Sequence, residues 1–380
     1  MDTPLISIGV PIYNDAVFLR RALDRLVQQD YANLEIILAD DGSTDSSREI
    51  CREYAEQRDT RIRFIENYQN LGALSNHRLV LELSKGEYFA WASGHDYLNP
   101  SFVSQTLKIL QTHPTVLLCC PRSVFEDENG RSVRTPIGGL DTRGFPPVER
   151  FNKVLAHLTG GGTANIFYGL YRRSALAQVN PFRKVIGHDG IALGELSILG
   201  DIVQIDDILY HRLDHRNMYG NNRVERHQQY LLINKRKIEA LTPSFSMLCE
   251  YLNMLESSNL TDPEKQALFE SISGEANRIK VTISREIEAV IQTVDQTLNK
   301  LVLYPALQQY WASRYLDTMN KARIFGYDDP GLFRTQKICL SILGINISDQ
   351  LVPHKRNGWS EKLVSTWLNI QSTVKKSIYR

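Results

Sequence analysis

Ionisable side chains gather in this chain where strand-like runs stop. Tyr88–Ala92 is apolar and aromatic, the composition of a buried strand, and it ends at Ser93, Gly94, His95 and Asp96, residues that are small or metal-capable. In open α/β sheets ligands sit beyond the carboxyl ends of the strands. His95 and Asp96 therefore read either as groups projecting into such a crevice or as turn chemistry before the helix that Asn99-Pro100 starts. Leu34–Leu38 stops in the same way at Asp40-Asp41-Gly42. One of these carboxylates caps the next helix, or it accepts a hydrogen bond from a nucleobase or ribose. Asn70-Leu71-Gly72, Asn76 and Arg78 lie where a third crossover returns to the sheet, which makes Arg78 a phosphate contact or a surface arginine. Gly187-His188-Asp189 precedes a further apolar helix.

The elements that must position these groups alternate. Leu5–Val10 reads as a strand broken by Pro11-Ile12-Tyr13-Asn14. A helix follows, with Phe18, Leu19, Ala22, Leu23 and Leu26 at three- and four-residue intervals. After the strand Leu34–Leu38, a helix carries Ile50, Cys51, Tyr54 and Ala55 on its inner face. Arg61–Ile65 is a strand, Ala73–Leu83 a helix and Tyr88–Ala92 a strand, and Pro100–Gln111 with Val116–Cys120 continues the series. Such alternation calls for a parallel, doubly wound sheet. Pro121–Thr163, with its prolines and glycines, reads as loop, either a functional cover or a solvated insertion. Ile166–Tyr171 then reads as a strand, Arg173–Gln178 as a short helix, and Ile202–Ile205 and Ile208–His211 as two short strands. Beyond about Arg216 the helical segments Arg223–Ala240, Pro263–Leu298 and Tyr304–Ala322 predict an accessory domain, so the chain divides into residues 1–216 and 217–380.

Composition bounds the function. A chain with 42% hydrophobic residues is long enough for two modest cores. Lys and Arg total 44 against 43 Asp and Glu, a net charge of +1, which provides no broad basic field for nucleic acid. No apolar segment approaches the roughly 18–20 residues needed to span a bilayer, and Met1-Asp2-Thr3-Pro4 shows no basic, apolar leader. The expected location is the cytoplasm. Five scattered cysteines without a C-x-x-C pair predict neither a disulfide framework nor a zinc site. Trp359–Arg380 places Trp359, Leu363, Val364, Trp367, Ile370, Val374 and Ile378 near helical spacing beside Lys362, Lys375, Lys376 and Arg380. This segment is either an interfacial helix at the inner face of an anionic membrane or a terminal helix docked on its own domain.

Taken together, the blocks Val10–Asn14, Gln28–Tyr31, Leu34–Ile37, Asp40–Asp45, Arg61–Arg63, Asn70–Gly72 and Gly86–Tyr88 closely resemble family 2 inverting glycosyltransferases. The resemblance continues through Gly169–Ser174, His188-Asp189 and Tyr210–Arg212, about residues 4–216 in all. It implies a GT-A type, Rossmann-like, mainly parallel sheet followed by a helical C-terminal domain. The implied activity is transfer of one sugar, with inversion, from a nucleotide-sugar donor such as a UDP-sugar to a surface glycan or lipid-linked acceptor. Pro11 and Tyr13 match the turn flanking the donor's base and Asp41 matches the carboxylate that recognises uracil. Asp40, Asn70, Arg78, Ser93 and Gly94 complete the expected donor site. His188-Asp189 looks like the family's Glu-Asp pair, whose aspartate is the general base.

The departure falls on the metal. Where the family commonly reads Asp-Ser-Asp-Asp, this chain reads Ser93-Gly94-His95-Asp96, so His95 replaces the usual metal-binding aspartate. The resemblance implies a divalent cation bridging the diphosphate, and an imidazole suits manganese better than magnesium. Three outcomes stay open: His95 ligates a softer metal, Asp96 substitutes, or cations such as His95, Arg78 or Arg212 neutralise the diphosphate without metal. His215, or alternatively His211, stands where some members place a further histidine ligand. Two other readings compete with the transferase. One is an inactive transferase-like scaffold. The other is a nucleotidyltransferase, which would need a glycine-rich, basic triphosphate loop that the first strand lacks.

Overall fold

The computed structural model describes residues 3–136, 138–159, 164–183, 185, 187–214 and 243–279, together with 282, 285 and 286. The chain divides into two units, Met1–Ile233 with Asn253–Phe269, and Asn234–Leu252 with Glu270–Arg380. The expected division at residue 216 lies outside the described residues, as do the helices predicted over 223–240 and 304–322 and the segment 359–380. Two helices are described past residue 242, Pro243–Ser257 and Asp262–Arg278. The second accounts for the first half of the helix expected from Pro263.

The first unit is built on one mixed sheet. Its strands are β1 (Ile6–Ile12), β2 (Leu34–Asp40), β3 (Ile62–Glu66), β4 (Tyr88–Trp91), β5 (Tyr97–Leu98), β6 (Val116–Glu126), β7 (Ser132–Arg134), β8 (Leu170–Arg172) and β9 (Asp201–Leu213). They follow the spatial order β3-β2-β1-β4-β8-β6-β9-β5, with β7 attached to β6. The block β3-β2-β1-β4 is parallel, as the alternating pattern requires. β8 enters antiparallel between β4 and β6, β9 runs parallel to β6, and β5 pairs antiparallel with β9. The carboxyl ends of β1 to β4, β6 and β9 therefore share one edge.

Both faces of the sheet are covered, which is why its central strands read as continuous apolar runs. Ile6, Ile8, Val10 and Ile12 of β1 point to one face with Ile36 and Leu38 of β2, against α1 (Ala16–Val27), α2 (Ser47–Glu53) and α4 (Phe102–Thr112). Ile37, Ala39, Phe89 and Trp91 point to the other, against α3 (Ala73–Glu82) and α7 (His188–Leu199). Trp91 is fully buried, stacks on Phe167 at 4.8 Å and meets Phe89, Tyr171 and Phe182 edge-on.

Three readings from sequence need correction. The stretch 121–163 is not simply loop: β6 continues to Glu126, β7 follows, and α5 spans Pro147–Thr159 with Phe151 and Val154 buried. Pro147 at the first helical position is compatible with a helix because the proline lacks only an amide that would be unpaired there. The two short strands predicted over 202–211 are one strand, β9, carried past the exposed Asp206-Asp207 by a register shift opposite Pro121/Arg122. The strand expected over 166–171 divides into a 3-10 turn, Ala164–Tyr168, and the short β8, and the short helix expected from Arg173 is α6 (Arg173–Leu176).

Candidate active site

Four loops meet at the shared carboxyl edge. After β1 the chain turns through Asn14 in a left-handed conformation, φ 54°, and the Asn14 side chain accepts from the Thr44 amide at 2.8 Å. Ser43 Oγ in turn accepts from the Asn14 amide at 2.9 Å, and Ser47 Oγ accepts from that of Asp15. The loops after β1 and β2 are thus tied together, with Pro11 on the strand and the ring of Tyr13 47% exposed above them.

Asp40 and Asp41 have separate tasks. Asp40, fully buried, accepts from the Ser43 amide at 3.1 Å and lies 3.4 Å from Arg48, and its Oδ1 has no partner among the described residues. Asp41 holds the loop that follows β3. Its Oδ1 accepts from the Leu71 amide at 2.8 Å and from Asn67 at 3.3 Å, and its Oδ2 accepts from the Gly72 amide at 3.0 Å. Asn70 also accepts from the Gly72 amide, at 2.8 Å. A carboxylate has about four acceptor positions, so these bonds leave Asp41 capacity for a ligand. Arg78 is exposed on α3, 5.1 Å over the ring of Phe182.

The loop after β4 carries the altered motif. Ser93 Oγ accepts from the His95 amide at 3.4 Å. Gly94 passes so close to Asp15 that a Cβ there would lie 2.5 Å from Asp15 Oδ2. His95 Nδ1 donates to Asp15 Oδ1 at 2.9 Å, and its Nε2 lies 4.0 Å from Asp96 Oδ1. Burial opposes protonation of His95, but Asp96 and then Asp15 outweigh it and raise its pKa above the ordinary value. Asp96 is buried and bonded through both oxygens: Oδ2 accepts from the Tyr210 hydroxyl and Oδ1 from the Leu213 amide at 2.9 Å.

Asp189 sits in the first turn of α7, where its Oδ1 accepts from the Gly190 amide at 2.9 Å. His188 Nδ1 donates to the Pro181 carbonyl at 3.0 Å, so the neighbour of Asp189 is engaged in holding the entry to the helix. Asp189 also acts on the charge of Arg212, near the carboxyl end of β9. Burial alone would lower its pKa; Asp96, then Tyr210, Tyr168 and Asp189, hold it above the ordinary value. Its Nη1 donates to Asn165 Oδ1, and Asn165 donates to Ser123 Oγ at 3.1 Å.

The sheet therefore brings Pro11, Tyr13, Asp40, Asp41, Asn70, Ser93, Gly94, His95 and Asp96 to one rim, with Asp189 and Arg212 linked through their charges. His211 alternates away from it: its Nδ1 donates to Glu126 at 2.7 Å and its ring stacks on Tyr97 at 4.5 Å. His215 lies outside the described residues. Among the described residues no group of three or more His, Cys, Asp or Glu side chains is arranged to hold a metal ion. Sequence reasoning missed Asp15, Asn67, Asn165 and Tyr210. Asp15 carried one signal, an acidic residue just before an amphipathic helix, and that signal reads as a cap.

Comparison with known proteins agrees with this architecture. Residues 7–179 match the model of glycosyl transferase family 2. The chain is 32% identical to EpsH of Bacillus subtilis (strain 168) over 177 residues, 46% of this chain and 49% of that protein. It is 36% identical to glycosyltransferase GlyG of Streptococcus pneumoniae serotype 4 over 107 residues, 28% of this chain and 35% of that one. The matched region thus spans about half or less of these relatives. Among solved structures, S. aureus TarS 1–349 in complex with UDP-GlcNAc superposes with a TM-score of 0.55 at 16% identity, covering 94% of this chain and 97% of that chain. That likeness is one of fold, the GT-A type of transferase. Residues 7–179, the larger part of the mixed sheet with its strand-end loops, are thus similar to glycosyl transferase family 2.

Proposed function

We propose that the protein is an inverting glycosyltransferase. It takes one sugar from a nucleoside-diphosphate donor, a UDP-sugar, and adds it to a hydroxyl of a cell-envelope glycan or lipid-linked acceptor. The observation that carries this reading is the family 2 domain with a carboxylate, Asp189, at the first turn of α7 on the same edge as Asp41 and Tyr13. Asp41, aided by the Tyr13 ring, reads the base: its remaining acceptor capacity suits the N–H of uracil. Asp189 takes the proton of the attacking hydroxyl, a task that requires approach to about 3 Å. Asp40, Asn70, Ser93 and Gly94 shape the loops around the donor, and Arg78 borders it. UDP-GlcNAc, the donor bound to TarS, is the first to test.

The family resemblance implies a divalent metal, manganese before magnesium, and His95 is the residue that would favour the softer ion. A second reading, a transferase-like scaffold without turnover, draws on the same His95. Transfer or donor hydrolysis by the purified protein refutes it. Membrane contact through 359–380 and action at the inner face of the cell membrane belong to the proposal. Among the described residues no helix is long and apolar enough to cross a membrane.

The deciding experiment replaces Asp189 by Asn. Loss of a general base reduces rates by about 10²–10⁴-fold, while UDP affinity, measured by calorimetry, stays within about twofold. A folded Asp189→Asn enzyme with the full transfer rate would remove Asp189 from the mechanism.

A further inference from the structure

The geometry points to Arg212, positioned by Asn165, as the group that meets the charge of the leaving nucleoside diphosphate, in place of a divalent metal at the strand-end motif. This rests on the transferase reading above.

Among the described residues the motif offers no group of three metal-binding side chains. Of its two candidate donors, Asp96 is 3% exposed, with Oδ2 accepting from Tyr210 and Oδ1 from the backbone of Leu213. Tyr210 is itself buried and stacks on Tyr168 at 5.3 Å, so turning Asp96 outward would break a packed aromatic pair and strand a buried hydroxyl. His95 is oriented by Asp15 through Nδ1. His211, the alternative further ligand, is held by Glu126 and Tyr97, and His215 lies outside the described residues. What Asp96 does instead is organise the carboxyl end of β9, the strand that carries Arg212.

Arg212 has the properties the diphosphate needs. Its charge is permanent. It is braced by Asn165, itself 7% exposed and anchored on Ser123, and by the ring of Phe125 at 5.6 Å. Among the described residues Nη1 alone of its nitrogens donates within the chain, which leaves Nε and Nη2, a fork suited to two phosphate oxygens. Arg212 stands on β9 between Tyr210 and Leu213, the two residues that bond Asp96, and both Asp96 and Asp189 act on its charge. In the step itself the bond from the anomeric carbon to the diphosphate oxygen breaks and its electron pair stays on that oxygen beside Arg212. The acceptor oxygen bonds to the carbon from the opposite face, and its proton passes to Asp189.

The test is calorimetric titration of UDP and of uridine into the full chain, in EDTA and in manganese, for wild type, Arg212→Gln and Arg212→Lys. Expected are UDP affinities within about twofold in the two buffers. Arg212→Gln should weaken UDP by about tenfold or more while leaving uridine unchanged, and Arg212→Lys should fall between and stay indifferent to EDTA. UDP binding that needs manganese overturns the inference and leaves the transferase reading standing. Equal loss of uridine in both variants makes Arg212 structural and also overturns it. A wild type that binds neither UDP nor uridine in either buffer refutes the UDP-donor reading itself.

Discussion

Asp41 shows how one side chain at this edge can serve structure and, in the function proposed above, recognition of the donor's base. Its carboxylate is the fixed point on which the Asn67–Gly72 loop hangs, through two backbone amides and one side chain. An aspartate at such a strand end is therefore not free to be lost even where no donor binds. A different residue, His77, contributes to the acid behaviour of the fold. Its Nδ1 donates to the Ala73 carbonyl at 2.8 Å, and burial pushes its pKa down to about 4. An unfolded histidine titrates near 6.5, so on acidification the unfolded chain takes up this proton first. The contribution is fully present above about pH 6.5 and is lost as pH falls through the folded value, on the order of 2–3 kcal/mol by pH 4. Urea midpoints recorded from pH 7 to pH 5 should fall more steeply for the native protein than for His77→Gln. Parallel curves would show that His77 titrates normally in the fold.

At the scale of elements, the site depends on how closely the loops after β1 and β4 approach each other. Gly94 permits that approach: a Cβ at this position would sit 2.5 Å from Asp15 Oδ2 and 3.0 Å from Asp15 Cβ. Gly94→Ala must push Asp15 away, breaking its bond to His95 and disturbing the turn below Tyr13. The expected cost is about 1–3 kcal/mol of stability, with UDP binding weakened by about tenfold. Chemical denaturation and calorimetry on the same sample check both, and unchanged UDP affinity would separate this turn from the donor site. The same logic explains Gly9 on β1, where a Cβ would meet Val80 at 2.6 Å and Phe89 at 2.9 Å. That close contact seats α3 against the sheet and, through Asn76 and Asn67, steadies the loop held by Asp41.

For the whole molecule, the acceptor is the open dimension, and the segment 359–380 is where an experiment bears on it. Its alternating Trp, Leu, Ile and Lys side chains suit an anionic lipid surface. Removing residues 359–380 is expected to reduce co-sedimentation with vesicles containing anionic lipid, and more strongly at low salt than at high, while UDP affinity stays unchanged. Vesicle binding equal to that of the full chain would confine this segment to a role within its own domain.

The parallel half of the sheet was legible because its central strands are buried on both faces and its helices show a 3.6-residue stripe, both local signatures. The strand-end residues were legible for a related reason: polar side chains that close an apolar run must leave the sheet at its carboxyl edge. The antiparallel half was not. β8 is three residues long, β9 runs through an exposed Asp206-Asp207 shift, and α5 lies in a proline- and glycine-rich stretch. Their identity comes from partners far along the chain rather than from local pattern. The sequence alone determined the chemistry available, namely the carboxylates, the two strand-end motifs and the histidine that departs from the family's aspartate. Only the tertiary structure decided how that chemistry is shared out. It bonds both oxygens of Asp96 to β9, turns His211 to Glu126, and sets the charge of Arg212 against those of Asp96 and Asp189, because hydrogen bonds and charges between residues some 20 to 120 positions apart exist only once the strands have paired.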